Sequence, residues 1–176
     1  MEKSTKVITG KVRMMYVNVF KPTSMEEGGK EKYNVALAIP KTDTKTIAAI
    51  ESAIEAAFEN GKEKFGNKKL SQIKTPLKDG DIDRPDDANF EGCMFLNANS
   101  VRKPGVVDAD LQPIIDPGEF YSGCYGRASI NFYAFSVPTN KGIACGLNNL
   151  QKLADGERLE GGTSPEEDFG SADDLL

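Results

Sequence analysis

The chain has no histidine, and only three cysteines among its 176 residues. Histidine is the usual base of Ser-His and Cys-His pairs and a common transition-metal ligand. Its absence removes those chemistries together. Cys93, Cys124 and Cys145 are odd in number, far apart, and set in apolar or strand-like surroundings. That pattern reads as buried reduced thiols, not as a zinc site. No apolar run approaches the roughly 20 residues needed to cross a bilayer. The opening MEKSTKVITG has no apolar centre and no small-residue cleavage pattern of a secretory signal. A cytoplasmic location away from membranes is the expectation.

Phosphate and cation motifs are also missing. There is no Gly-x-x-x-x-Gly-Lys loop to cradle a nucleotide. The acidic run DGDIDRPDD invites a calcium reading, but counted from Asp79 the positions that need Gly and Glu hold Arg84 and Phe90. A solvated turn fits it better than a two-metal nuclease site. No metal, cofactor or catalytic residue is assigned.

What is present is a division of charge. From Asp155 to Leu176 eight acids face one base, Arg158, a net of −7 in a chain whose total is −5. Residues 1–154 are therefore mildly basic, with 21 Lys and Arg against 19 Asp and Glu. Such a body can hold a polyanion, and the appended acids can compete with it or be read by other proteins. The tail, spaced by Gly, Ser and Pro, is too polar to bury and is expected to be disordered. The division is thus one domain over 1–154 and an acidic flexible tail over 155–176.

Periodicity within the body is mostly of the strand type. Lys6 to Phe20 predicts one long strand with Ile8, Val12, Met14, Tyr16 and Phe20 on its apolar side. A second strand runs from Tyr33 to Ile39, stopped by Pro40. Thr42 to Phe65 predicts the single helix, with Ile47, Ile50, Ile54, Ala57 and Phe58 at helical spacing and glutamates on the solvated side. Residues 66–91 read as loop, and Gly92 to Ser100 as a strand. The turn Arg102-Lys103-Pro104-Gly105 leads toward Ile115, and Asp116-Pro117-Gly118 precedes a long strand from Glu119 to Val137. Pro138 to Gly142 reads as a hairpin connection, and Ile143 to Leu153 closes the fold.

The strand EFYSGCYGRASINFYAFSV carries the most suggestive pattern. One parity holds Phe120, Cys124, Ala128, Ile130 and Phe132, a core face; the other holds Tyr121, Tyr125, Arg127, Asn131 and Tyr133. Tyrosines interleaved with a cation suit single-stranded nucleic acid, because every base has a face that stacks on an aromatic ring. The same tyrosines can instead pack under the helix with their hydroxyls at the surface. The cations that can share the surface are Lys11, Arg13, Lys74, Arg102, Lys103 and Arg127. Arg102 and Lys103 stand out, since Pro104 and Gly105 fix a turn presenting both.

These segments carry a resemblance. KVRMMYVNVFKP, EKYNVALAIPKTD, RKPGVVD, FYSGCYGRASINFYAF and KGIACGLNNLQKL together resemble a family of phage-encoded single-stranded DNA-binding proteins, over about residues 5–154. The resemblance implies a mainly β fold with one helix, an oligonucleotide/oligosaccharide-binding (OB) Greek-key barrel with long loops. It implies single-stranded DNA in a basic aromatic cleft. The expected setting is a bacterial host or infected cell, and no enzymatic activity is expected. The tail, here with Glu166, Glu167, Asp168, Phe169, Asp173 and Asp174, would occupy that cleft or recruit phage or host replication proteins. Bacterial single-strand-binding tails end in an aromatic, whereas this one ends Leu175-Leu176. The alternatives are a protein-interaction or assembly module and, third, a metal-dependent nuclease. Helix or strand edges would each support a homodimer, and nothing in the sequence decides between them.

Overall fold

A computed structural model describes residues 4–24 and 30–159. Its strands are β1 (Lys6–Ile8), β2 (Val12–Thr23), β3 (Lys32–Pro40), β4 (Lys78–Asp79), β5 (Cys93–Ser100), β6 (Gly105–Val107), β7 (Tyr125–Val137) and β8 (Asn140–Ala154). The main helix is α1 (Thr44–Asn60), and a single turn, α2 (Gly80–Asp83), lies in the acidic run. Strands β7, β2, β3, β5 and β8 pair in that order, and β8 pairs again with β7, which closes a ring. All the pairs of the ring are antiparallel except β5 with β8. This is the expected OB-type barrel.

The inside of the ring is filled by alternate residues of its strands, among them Val12, Met14, Leu37, Leu96, Ala128, Ile130, Phe132 and Leu150. Helix α1 adds Ile50, Ala53, Ile54, Ala57 and Phe58 to the same core. Its N-terminus is capped by Asp43, whose Oδ1 accepts from the Thr46 amide at 3.1 Å. A smaller cluster of Met15, Ala36, Ala38, Phe90 and Phe95 lies apart from that core. Both sides of β3 are therefore buried at its centre, through Val35 to Ile39.

Three expectations need correction. The strand expected over Lys6 to Phe20 is two strands. Gly10 passes against the start of α1, its amide donating to Thr46 Oγ1 at 3.0 Å, and a Cβ there would stand 2.8 Å from Asp43 Oδ2. That crossing resets the alternation, so Val7 is buried and Ile8 is 55% exposed. The helix expected to reach Phe65 ends at Asn60, and Lys62–Phe65 continues as a 3-10 turn. Gly61 is the C-cap, where the backbone leaves helical angles at φ −114°, ψ 22°, and a Cβ there would collide with Ala134 on β7. The long strand expected from Glu119 begins only at Tyr125, because Tyr121 to Cys124 form a turn with Gly123 at φ +111°.

The loop expected over residues 66–91 has more structure than its composition shows. Its acids Asp79 and Asp81 both bind Lys41, at 2.8 and 2.7 Å. Those bonds hold both carboxyls below the ordinary carboxylate range and push the Lys41 ammonium up. Among the described residues no group of three or more acids or cysteines converges on a point. No helix among them is long and apolar enough to cross a membrane. Cys124 and Cys145 are buried and Cys93 half-buried, and burial pushes all three thiols up.

Candidate nucleic-acid interface

From Tyr125 onward β7 keeps strict alternation. Gly126, Ala128, Ile130 and Phe132 are buried, while Tyr125, Arg127, Ser129, Asn131 and Tyr133 lie on the outward parity. The strand spans 12 residue steps from Tyr125 to Val137, about 40 Å at the usual strand rise. One edge of this face is β1, where Lys6 pairs with Asn131 and the exposed Ile8 with Ser129. On the other side β8 sets Gln151 opposite Arg127 and Asn149 opposite Ser129.

At the start of β7 two cations border the Tyr125 ring: Lys11 Nζ lies 5.2 Å and Arg13 Cζ 5.6 Å from its centroid. Arg13 reaches this position because it pairs with Tyr125 across the β2–β7 ladder. Its Nε donates to the Gly123 oxygen at 3.2 Å. Midway, Arg127 Nε donates to Gln151 Oε1 at 2.6 Å, and Gln151 in turn donates to the oxygens of Asp108 and Ala109. Tyr133 is 43% exposed and points the same way as Arg127.

Arg102 and Lys103 are both exposed on the turn before β6. That turn is docked on β8, since the Gly105 amide donates to Asn149 Oδ1 at 3.2 Å and a Cβ at Gly105 would meet the same oxygen. The two cations line a pocket of about 540 Å³ together with Lys6, Asn131, Asn148 and Asn149. Cations and amides without a carboxylate suit phosphate and sugar. Lys74 stands apart from all of these, at the hairpin end of β7, bonded through its backbone to Lys141 and Ile143. It shares a pocket of about 450 Å³ with Lys68 and Lys141.

Tyr121 does not join the row. Its side chain is part of the core at 7% exposure, because the turn before β7 points it inward. Its hydroxyl bonds Asp155 Oδ1 at 2.9 Å and the Gly156 oxygen at 3.1 Å. Lys152 and Arg158 lie over the ring, at 5.3 and 4.4 Å. Burial, ahead of Asp155, pushes its phenol up. Tyr121 is a structural anchor for the chain that follows β8.

That chain crosses the expected domain boundary while still bonded to the barrel. Leu159 donates to the Ser122 oxygen at 2.8 Å, and Arg13 Nη2 donates to the Glu157 oxygen at 3.1 Å. The backbones touch: a Cβ on Gly123 would overlap the Glu157 oxygen, and one on Gly156 would overlap the Gly123 oxygen. Glu166, Glu167, Asp168, Phe169, Asp173 and Asp174 lie outside the described residues.

Periodicity places Tyr16 on the apolar side of the first strand, and the structure does not. The residue is 58% exposed, at φ +48°, beside a bulge in the β2–β3 ladder. Lys6 and the pair Asn148-Asn149 line one basic pocket, and Lys68 and Lys141 the other, without standing out in the periodicity. The two adjacent asparagines between apolar strand residues were the available signal.

The sequence matches, over residues 5–176, the family described as Enterobacter phage Enc34, ssDNA-binding protein. The chain belongs to that family. A putative protein p50 of Acyrthosiphon pisum secondary endosymbiont phage 1 is 31% identical over 167 residues, covering 89% of this chain and 88% of that one. The single-stranded DNA-binding protein from bacteriophage Enc34, solved in complex with ssDNA, superposes with a TM-score of 0.79 at 27% identity, covering 89% and 90% of the two chains. Gp2.5, a single-stranded DNA-binding protein encoded by bacteriophage T7, shares the fold at a TM-score of 0.61 and 15% identity, over 97% of each chain.

Proposed function

We propose that this chain binds single-stranded DNA without sequence preference during phage DNA replication, recombination or repair. The observation that carries this reading is the outward face of β7. It is an uninterrupted row of Tyr125, Arg127, Ser129, Asn131 and Tyr133, with Lys11 and Arg13 at one end and Lys74 at the other. Bases would stack on Tyr125 and Tyr133, displacing Lys11 or Arg13 from the Tyr125 ring toward phosphate. Arg102, Lys103 and Lys6 would take backbone charge midway. Membership of a family described by single-stranded DNA binding supports the same ligand.

The acids beyond Leu159, six of them without a base, would compete for this track or recruit phage or host replication proteins. The chain leaves β8 beside Arg13 and Tyr125, which supports competition at that end. The experiment is a titration of labelled oligothymidine, with duplex of the same length as competitor. Binding of the single strand that duplex fails to displace is expected. Equal affinity for both would overturn the reading, and no binding of either would favour a protein-interaction module built on the same tyrosines and arginines.

A further inference from the structure

Strand β2 contains a bulge. Met15 pairs with Ala36 and Asn18 with Asn34, so Tyr16 and Val17 together oppose Val35 alone. Bulges of this kind often place a residue in the left-handed region, where glycine is the residue without steric cost. Here that residue is Tyr16, at φ +48°. A bulky side chain in that conformation is strained, and such strain concentrates at functional sites.

The bulge turns the Tyr16 ring outward and the surroundings hold it there. It lies near-parallel to Phe90, with centroids 6.2 Å apart, and its hydroxyl makes a long bond to Asp87 Oδ2 at 3.4 Å. Beside it is a pocket of about 330 Å³ lined by Asn18, Asn89, Ser122 and Leu159 among others, and by no charged residue. An exposed ring, two side-chain amides and no cation do not suit a phosphate; the nearby Asp87 carboxylate would repel one. They suit the flat, amide-bearing heterocycle of a nucleobase. The pocket is close to the proposed track, because Ser122 Oγ accepts from the Val17 amide while Gly123 accepts from Arg13.

We propose that Tyr16 and the pocket it borders receive a nucleobase of the bound strand, on the far side of the Ser122–Gly123 turn from Tyr125. This rests on the single-stranded DNA reading above. The site therefore binds a base and leaves the phosphates to other residues.

The test is Tyr16→Gly, measured by oligothymidine titration at several salt concentrations alongside thermal unfolding. Glycine accepts the backbone angle, which offsets the lost contact with Phe90, so the variant is expected to stay folded at the titration temperature. Its affinity is expected to fall by about 5- to 150-fold, the range for one lost stack. The dependence on salt should not change, since no phosphate contact is removed. Tyr16→Phe should bind like the parent. In the parent, an oligonucleotide carrying 5-iodouracil should photocross-link to Tyr16, which reads the contact without any variant. Parent-like affinity of Tyr16→Gly, or cross-links at Tyr125 with none at Tyr16, would overturn this site alone. A parent protein that fails to bind single strands would overturn the underlying reading, and this site with it.

Discussion

The Arg13 guanidinium donates to the backbone oxygen of Glu157, two residues beyond the acid that caps Tyr121. One cation of the proposed DNA track is thus already held by the protein's own C-terminal segment. The segment runs backbone against backbone over Gly123, so its position is set by shape as well as by charge. Its start is part of the folded barrel, held as far as Leu159 by the bond from that residue's amide to the Ser122 oxygen.

Two truncations separate those roles. Ending the chain at Leu159 removes six acids and no base. Oligothymidine affinity at low salt should then rise, with the unfolding midpoint unchanged. Ending it at Ala154 also uncovers the Tyr121 ring and should lower the midpoint. Equal affinity for the full chain and the chain ending at Leu159 would exclude competition by the tail and leave only partner recruitment.

Tyr125→Ala should weaken oligothymidine binding by about 1–3 kcal/mol, the value of one base stack. Tyr121→Phe should act on stability instead. It loses the hydroxyl bonds to Asp155 and Gly156, at a net cost of about 1 kcal/mol in urea unfolding. An affinity loss in Tyr121→Phe matching that of Tyr125→Ala would contradict the assignment of Tyr121 as an anchor.

Removing both charges of the Arg102-Lys103 turn should flatten the salt dependence. If each meets one phosphate, the slope of log K against log salt should shrink by about 1.4, or 0.7 per contact. An unchanged slope would place the strand away from the pocket that these residues share with Asn148 and Asn149.

Asp155 is held below its ordinary value of 3.8 by hydrogen bonds from Lys152 and then Tyr121. A carboxyl with a depressed folded value stabilises its contacts fully above the unfolded value and loses that contribution as pH falls through the folded one. Docking of residues 155–159 should therefore be constant between about pH 5 and 8, and weaken only below 3.8. The Gly156 amide resonance, followed by NMR, reads this. A midpoint near neutrality would show that another group controls the docking.

Much of this was legible in the sequence where the backbone is regular. The parity of β7 from Tyr125 to Tyr133 follows from strict alternation, and the structure keeps it. Tyr121 has the same parity in the count but not in space, because Gly123 at φ +111° ends the alternation between them. Gly10 and the Tyr16–Val17 bulge break the count in the same way along the first strands. Periodicity carries a face only as far as the next positive φ or chain crossing, and neither is visible in a hydrophobic pattern. The parallel pairing of β5 with β8, one link of the closed ring, joins residues nearly fifty apart in sequence, Asn99 and Gly146. Local pattern has no access to it.

The most direct measurement is a crystal structure of the chain ending at Leu159 with a short oligothymidine bound. The nucleic acid should lie along the outward side of β7, with one thymine against Tyr125 and phosphates near Arg102 and Lys103. A strand seated on any other surface, with Tyr125 still between Lys11 and Arg13, would contradict it.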